Sequence, residues 1–173
     1  MTDVVVNESC VLESPVGRIR VTATSGAISA LDWTDEKTTA PNTKILRDAA
    51  KQLAEHFAGT RTEFFLRLAP VGTDHQKKVW AAMCEIPSGG VRSYGDLARE
   101  IGSSARAVGT ACGKNPIPII VPCHRILSTG GGIGGYSGRG GTETKRQLLD
   151  LEGFALPGEN QASLDLEGRS TSR

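Results

Sequence analysis

The first 70 residues combine a strand-like and a helix-like pattern of apolar positions. Polar and apolar residues alternate from Arg18 to Ala23, as in a half-buried strand, and the turn residues around this segment predict two or three strands within 9–33. Apolar residues recur at helical spacing over 45–57, and Gly59 follows, which predicts a helix that ends there. A further strand is expected over 63–68. The Pro-Val-Gly segment 70–72 interrupts both periods and is the predicted domain boundary.

The residues after this boundary predict several short helices. Thr73 and Gln76 have the spacing of a capping box, as do Ser93 and Asp96, so a helix is expected to begin after each pair. Another helix is expected over 105–113. Two short helices joined by a glycine-containing turn outline a helix-turn-helix, although this pattern alone fits a plain helical hairpin better. A last helix, rich in leucine, is expected to end at Gly153.

Composition and charge narrow the class of protein. The chain is 38% hydrophobic and 23% charged, as expected for a soluble globular protein. No apolar run approaches the roughly 18 residues of a membrane span, and the first ten residues lack the apolar region of a secretory signal, so a cytoplasmic protein is expected. The formal charge is +1, but residues 73–153 carry ten basic and seven acidic side chains. This local excess permits salt-sensitive DNA binding of moderate strength.

The cysteines predict free thiols. The chain has four, Cys10, Cys84, Cys112 and Cys123, with no C-x-x-C pair and no zinc-ligand spacing. Neither a metal nor a cofactor is therefore expected, and a cytosolic location favours the reduced state. Cys84 and Cys112 have the positions of thiols on helix faces that pack into a core.

Cys123 and His124 are the candidate chemical pair. A thiol becomes a nucleophile as the thiolate, which a nearby base or positive field favours. By itself, a Cys-His dipeptide is more often an inert buried cysteine beside an unrelated histidine. The prolines around 118–122 predict a stiff, extended approach in which adjacent side chains point to opposite sides. Proton transfer would then need a bridging water or a kink, and Glu152 or Asp150 could orient the imidazole.

The segment 115–125, Asn-Pro-Ile-Pro-Ile-Ile-Val-Pro-Cys-His-Arg, resembles the active-site signature of the alkylguanine-DNA alkyltransferases, also called methylated-DNA–protein-cysteine methyltransferases. Segments 86–89, 93–98, 105–109, 134–137 and 151–153 follow the order and approximate spacing of that family's motifs, so the resemblance covers about 72–153. It implies an α+β protein with a small amino-terminal ribonuclease-H-like α/β domain over 1–72. A carboxy-terminal helical winged helix-turn-helix domain over 73–155 would follow, with a disordered tail over 156–173.

The resemblance also implies the function and the site. Cys123 would accept the alkyl group from O6-alkylguanine in double-stranded DNA in a single irreversible turnover, with O4-alkylthymine as a further candidate substrate. The protein would be a monomer when free, with cooperativity on DNA left open. The catalytic residues would be Cys123, His124, Glu152, Tyr94 and Asn115. The base would contact Tyr136 and Ser137, and the DNA would contact Arg106, Ala107, Gly109, Tyr94, Gly95 and Arg92.

The small residues beside Arg106 suit this interpretation. A helix built from alanine and glycine can approach a narrow minor groove closely, and a base must be flipped out of the duplex to reach a buried thiol. Tight helix packing would explain the same small residues equally well. Two alternative functions remain at this stage. One is a binding-only alkyltransferase-like protein, which the presence of Cys123 disfavours; the other is a cysteine hydrolase of unrelated fold.

Overall fold

The computed structural model describes residues 4–157, and its first half is a three-stranded sheet covered by a helix. The antiparallel strands β1 (Asn7–Leu12), β2 (Ile19–Thr24) and β3 (Ala27–Trp33) lie in the order β1-β2-β3. The alternation in β2 buries Ile19, Val21 and Ala23, and α1 (Lys44–Phe57) packs against the sheet. The predicted strands and the predicted helix in 9–57 are thus confirmed.

The strand predicted over 63–68 is wrong. The segment is extended, but it joins the sheet only at one parallel bridge between Ile28 and Leu68. The side chain of Gln52 provides the physical reason, because it takes the place of a neighbouring strand. Its Nε2 donates to the carbonyl of Phe65 at 3.1 Å, and its Oε1 accepts from the amide of Phe65 at 2.8 Å. The aromatic pattern therefore produces an extended segment whose backbone is satisfied by a helix side chain.

The second half is mainly helical, and both predicted capping boxes are present. Thr73 and Gln76 cap one helix, Ser93 and Asp96 cap the next, and Gly102 ends that helix in the left-handed conformation at φ 68°. The two helices that follow Ser93 and Ser104 form the predicted helix-turn-helix. The elements in order are α2 (Asp74–Cys84), β4 (Arg92–Ser93), α3 (Tyr94–Ile101), α4 (Ala105–Gly113), a 3₁₀ turn (Cys123–Arg125), β5 (Ile126–Leu127) and α5 (Thr142–Leu151).

One hydrophobic core extends through both halves of the described chain. It joins buried residues of the sheet and α1 to those of α2, α3, α4 and the segment 117–123. The amide of Leu31 in β3 donates to the carbonyl of Pro116 at 2.9 Å, and the indole of Trp80 in α2 donates to the carbonyl of Ala111 in α4 at 2.9 Å. The first half is therefore rigidly placed against the segment that leads to Cys123.

The predicted tail begins at residue 156. Leu156 is buried in a cluster with Leu127 and Leu149. The remainder of the predicted disordered tail, 158–173, lies outside the described residues. Within 4–157, no helix is long and apolar enough to span a membrane.

Candidate active site

The approach to Cys123 is folded back on itself and not extended. Ile119 has a positive φ of 75°, and the amide of Val121 donates to the carbonyl of Ile117 at 2.9 Å. The prediction of a stiff, extended approach is therefore wrong. An extended segment alternates its side chains between two faces, whereas every residue of 117–123 is buried and all but the prolines belong to one hydrophobic core. Turning the backbone allows consecutive apolar side chains to be buried together.

Asn115 braces this turn from the inside. Its Nδ2 donates to the carbonyl of Val121 at 2.9 Å, and its Oδ1 accepts from the amide of Ile117 at 3.0 Å. These two bonds close the loop directly after α4 and lead the chain into the 3₁₀ turn that contains Cys123 and His124. The dipeptide is therefore kinked, which was the alternative required for the two side chains to cooperate.

Cys123 lines a cavity of about 260 Å³ at the edge of the helix-turn-helix. Only 5% of the residue is exposed. Burial raises the pKa of the Cys123 thiol, whereas a hydrogen bond from Asn115 and the positive charge of Lys145 act to lower it. The thiol is therefore protonated in the resting site and needs a base. The cavity is lined by Tyr94, Gly109, Cys112, Gly113, Cys123, Gly135, Tyr136 and Ser137.

His124, the candidate base, directly follows the cysteine in the 3₁₀ turn. His124 is fully buried, and its Nε2 donates to Oε1 of Glu152 at 2.7 Å, since a carboxylate oxygen can only accept. Within the described part of the chain, Nδ1 of His124 has no protein hydrogen-bond partner. Burial lowers the pKa of His124 despite the attraction of Glu152, so the ring is neutral and Nδ1 presents a lone pair. The geometry selects Glu152 over Asp150, which is exposed.

Arg125 holds the carboxylate in place, a role that the sequence had not suggested although Arg125 belongs to the matching segment. Its Nε and Nη2 donate to Oε2 and Oε1 of Glu152 at 2.9 and 2.7 Å, and its Nη1 donates to the carbonyl of Ile86 at 2.6 Å. Burial acts to raise the pKa of Glu152, but hydrogen bonds and charges from His124 and Arg125 lower it to about 2. Glu152 is thus a permanent anion at neutral pH.

Lys145 is a second functional candidate that sequence reasoning missed. It is fully buried, and its Nζ donates to the carbonyls of Ile126 and Gly135 at 2.5 and 3.1 Å. Burial lowers its pKa to about 8, partly offset by the thiols of Cys123 and Cys112. The ammonium ties the glycine-rich loop to the strand after the 3₁₀ turn. The sequence feature that could have revealed its burial is its position three residues before Leu148, on the apolar face of α5.

Two tyrosines border the cavity. Tyr136 packs edge-on against Trp33 of the first half, with ring centroids 6.3 Å apart, and its buried hydroxyl has no partner among the described residues. Burial raises the pKa of Tyr136, and burial followed by the nearby thiols raises that of Tyr94 to about 12. Both hydroxyls are therefore protonated donors. Ser137 lies beside Tyr136 in the lining.

Gly138 allows this packing. A Cβ atom there would lie 2.4 Å from the ring of Tyr136 and 2.8 Å from that of Trp33. Any larger residue would have to displace one of the two rings.

Of the residues expected to contact DNA, Tyr94 and Gly109 line the cavity, whereas Arg106 and Ala107 line a separate surface pocket. Arg106 is exposed on α4, and Ala107 and Gly109 are partly exposed on the same helix. A Cβ at Gly109 would lie 3.9 Å from the Tyr94 ring, so α3 and α4 are in close contact there. Arg92, in contrast, forms an ion pair with Glu100 at 3.2 Å.

Gly95 completes this set. It stands at the start of α3, where a Cβ would approach Oγ1 of Thr129 within 3.3 Å. Tyr94 also lies at the start of α3. It lines the cavity together with Gly109 of α4.

A cysteine that lines a cavity beside a helix-turn-helix, next in sequence to a histidine paired with a carboxylate, indicates a DNA-binding protein with a nucleophilic thiol. Family models match nearly the whole described chain. Residues 10–70 match the ribonuclease-like domain of 6-O-methylguanine DNA methyltransferase, and residues 74–154 match its DNA-binding domain. The chain belongs to the methylated-DNA–protein-cysteine methyltransferase family.

Individual relatives agree with this assignment. The chain is 42% identical over 151 residues to a methylated-DNA–protein-cysteine methyltransferase of Methanosarcina barkeri, covering 82% of this chain and 94% of that one. It is 41% identical over 152 residues to the constitutive enzyme of Bacillus subtilis, covering 81% and 92%.

Solved structures of the family are similar as well. The structure of Mycobacterium tuberculosis O6-methylguanine methyltransferase aligns with a TM-score of 0.76 at 37% identity over 91% of this chain and 99% of that one. The M. tuberculosis protein OGT in complex with DNA aligns with a TM-score of 0.74 at 40% identity, over 84% and 92%.

Proposed function

We propose that this protein repairs DNA by transferring the alkyl group of O6-alkylguanine to Cys123 in one irreversible turnover. The observation that carries the proposal is that Cys123 lines a cavity together with residues of the helix-turn-helix and is followed in the chain by His124, which is paired with Glu152. The cavity is lined on one side by α3 and α4, so a base that leaves a duplex bound to these helices can enter it. O4-alkylthymine is a second candidate substrate of the same site.

Activation of the nucleophile uses the lone pair of His124. Nδ1 of His124 accepts the thiol proton of Cys123 through a bridging water, while Nε2–H remains bonded to Glu152. The fixed anion of Glu152 stabilises the imidazolium that forms, and Arg125 keeps that carboxylate in place. The thiolate is in turn stabilised by the Asn115 hydrogen bond and the Lys145 charge.

The transfer step is a displacement at the alkyl carbon. The Cys123 sulfur forms a bond to that carbon while the bond from carbon to guanine O6 breaks, and the electron pair remains with the base. The Tyr94 hydroxyl, protonated in this site, donates a hydrogen bond or its proton to the departing guanine. Tyr136 and Ser137 border the base pocket, Ser137 as a donor toward O6. A thioether is stable to hydrolysis, so the reaction consumes the protein.

DNA binding places the lesion at the cavity. The small residues Ala107 and Gly109 allow α4 to approach a minor groove closely, and exposed Arg106 fills the space that the flipped nucleotide leaves. Gly95 at the start of α3 and Arg92 in β4 contact the DNA backbone. We further propose that the protein is a monomer when free and acts in the cytoplasm with access to DNA.

The two alternatives are weaker. The cysteine hydrolase of unrelated fold is excluded because the chain belongs to a methyltransferase family. The binding-only function is disfavoured because Cys123 is present and is backed by the buried His124–Glu152 pair, which a lesion sensor does not need.

Intact-protein mass spectrometry tests the proposal. After incubation with a duplex containing O6-methylguanine, each protein molecule is expected to gain the mass of one methyl group, located in the peptide with Cys123. An unmodified duplex serves as the control. Absence of the adduct, or release of several methyl groups per protein molecule, would contradict the proposal.

Arg106→Ala is expected to separate base flipping from chemistry. Since flipping costs a few kcal/mol and Arg106 offsets part of it, transfer from the duplex should slow about 10- to 100-fold. Transfer from free benzylguanine should change less than about twofold, because a free base leaves no space in a duplex that a side chain must fill. Single-turnover rates on both substrates provide the measurement. Arg47→Ala, which removes an exposed charge from α1, is the matched control. Equal losses of rate on both substrates in Arg106→Ala would show that Arg106 does not fill the space left by the flipped nucleotide.

A further inference from the structure

His56 is a buried histidine of the first half that reaches the candidate active site. It lies near the end of α1, is 1% exposed, and its Nε2 is 3.7 Å from Oε1 of Glu152. The ring packs against Phe57 and Phe64, with centroids 5.7 and 5.1 Å away, so it is held in place on both sides. Oε1 of Glu152 is the same oxygen that accepts from His124.

The two ring nitrogens of His56 both face oxygen acceptors. Nδ1 lies 3.3 Å from the carbonyl of Arg61, and Nε2 faces the Glu152 carboxylate. When the ring is neutral with its hydrogen on Nδ1, a lone pair on Nε2 faces an anion, which agrees with a separation wider than a hydrogen bond. Nε2 is buried and has no hydrogen-bond partner within residues 4–157. A second proton would convert this contact from repulsive to attractive.

The groups around His56 act on its pKa in opposite directions. Burial lowers the pKa of His56, Glu152 and the Arg61 carbonyl act to raise it, and His124 and Arg125 act to lower it. These groups come from each element that faces the ring: the end of α5, the 3₁₀ turn and the loop after α1. Proton uptake is therefore expected on the acid side of neutrality.

We propose that His56 is a positioning residue of the alkyl-transfer reaction, which acts through Glu152 and, on taking up a proton, draws that carboxylate away from His124. This proposal rests on the proposed function and adds a contribution from the amino-terminal half. With its hydrogen bond to Glu152 weakened, His124 is a poorer acceptor for the Cys123 proton. Low pH therefore lowers the rate of alkyl transfer through two protonation events, one at His124 and one at His56.

Comparison of pH profiles tests the proposal. Transfer from free benzylguanine and the reaction of Cys123 with a neutral aromatic disulfide are measured between about pH 5 and 8 in wild type, His56→Gln and His56→Phe. The disulfide reaction is done in a Cys84→Ala background to remove the exposed thiol. On the acid limb of the profile the wild-type rates should depend on two protons and those of both variants on one, so that wild type loses about tenfold more over one pH unit.

His75→Gln, which removes an exposed histidine, is the control and should keep the wild-type slope. A purely structural role of His56 would lower the melting temperature of the variants but leave their profiles parallel to that of wild type, which would overturn the proposal. If benzylguanine does not react with wild type, the proposed function fails, while the disulfide profiles still decide the role of His56.

Histidine ring ¹⁵N spectra of the unmutated protein give a measurement that needs no folded variant. The chain has only three histidines, so their signals are readily separated. Protonation of His56 should shift Nε2 of His124 at the same pH. Independent titration of the two rings would contradict the coupling.

Discussion

Cys123→Ala is expected to abolish alkyl transfer from both duplex and free-base substrates, lowering the rate by at least about 10⁴-fold. The reason is chemical, since no other described thiol combines access to the cavity with a base. Cys112 also lines the cavity, but burial raises its pKa to about 12, and its neighbour in the chain is Gly113 and not a histidine. Single-turnover assays and peptide mass spectrometry measure the loss.

The variant should nevertheless bind DNA, because Cys123 lies in the cavity lining and not on α4. A duplex containing O6-methylguanine should therefore form a stable complex with Cys123→Ala. Cys84→Ala, which removes an exposed thiol on α2, is the matched control and should react like wild type. Methyl transfer that persists in Cys123→Ala, with the adduct on Cys112 or Cys84, would assign the nucleophile elsewhere.

Glu152→Gln is expected to have the largest effect on stability and the second largest on activity. It leaves the buried guanidinium of Arg125 without its anion, and removal of one partner from a buried pair costs about 3–5 kcal/mol. The amide also offers His124 a hydrogen-bond donor as readily as an acceptor, so the tautomer with Nδ1 free is no longer enforced. Transfer should slow by about 10²-fold or more. Chemical denaturation and single-turnover rates provide the two measurements.

The pH dependence of unfolding gives an independent check on the same residue. Since the folded pKa of Glu152 is about 2, below its ordinary value of 4.5, its contribution is fully present above pH 4.5 and is lost as pH falls toward 2. Glu152→Gln should flatten that part of the stability profile. Asp150→Asn, an exposed neighbour on α5, should change the free energy of unfolding by less than about 0.5 kcal/mol. Equal losses of unfolding free energy in the two variants would show that the buried hydrogen bonds of the Glu152 carboxylate do not account for the effect.

Local sequence patterns predicted the elements that local interactions decide. The capping boxes at Thr73 and Ser93 each act within one turn of helix, and both lie where the patterns placed them. The same reasoning failed over 63–68, because the partner of that backbone is the Gln52 side chain from another element. It also failed at 117–122, where burial of every apolar side chain in one core outweighs the extended preference that proline imposes.

The candidate site divides in the same way. Cys123 and His124 were recognisable because they are adjacent and because the surrounding segment resembles a family signature. Arg125, Lys145 and His56 were not recognised, because each acts through a contact with a residue distant in sequence. The residue type alone did not indicate which oxygen atom each of these side chains would contact.

The sequence by itself determined the local helix signals, the free-thiol chemistry and the family, since these depend on neighbouring residues and on an ordered set of motifs. Only the tertiary structure decided that one carboxylate, Glu152, serves His124 and Arg125 and faces His56. These groups come from three elements that meet only when the shared core forms. Burial then gives their mutual charges the strength that sets the protonation of the site, because charges interact more strongly away from water.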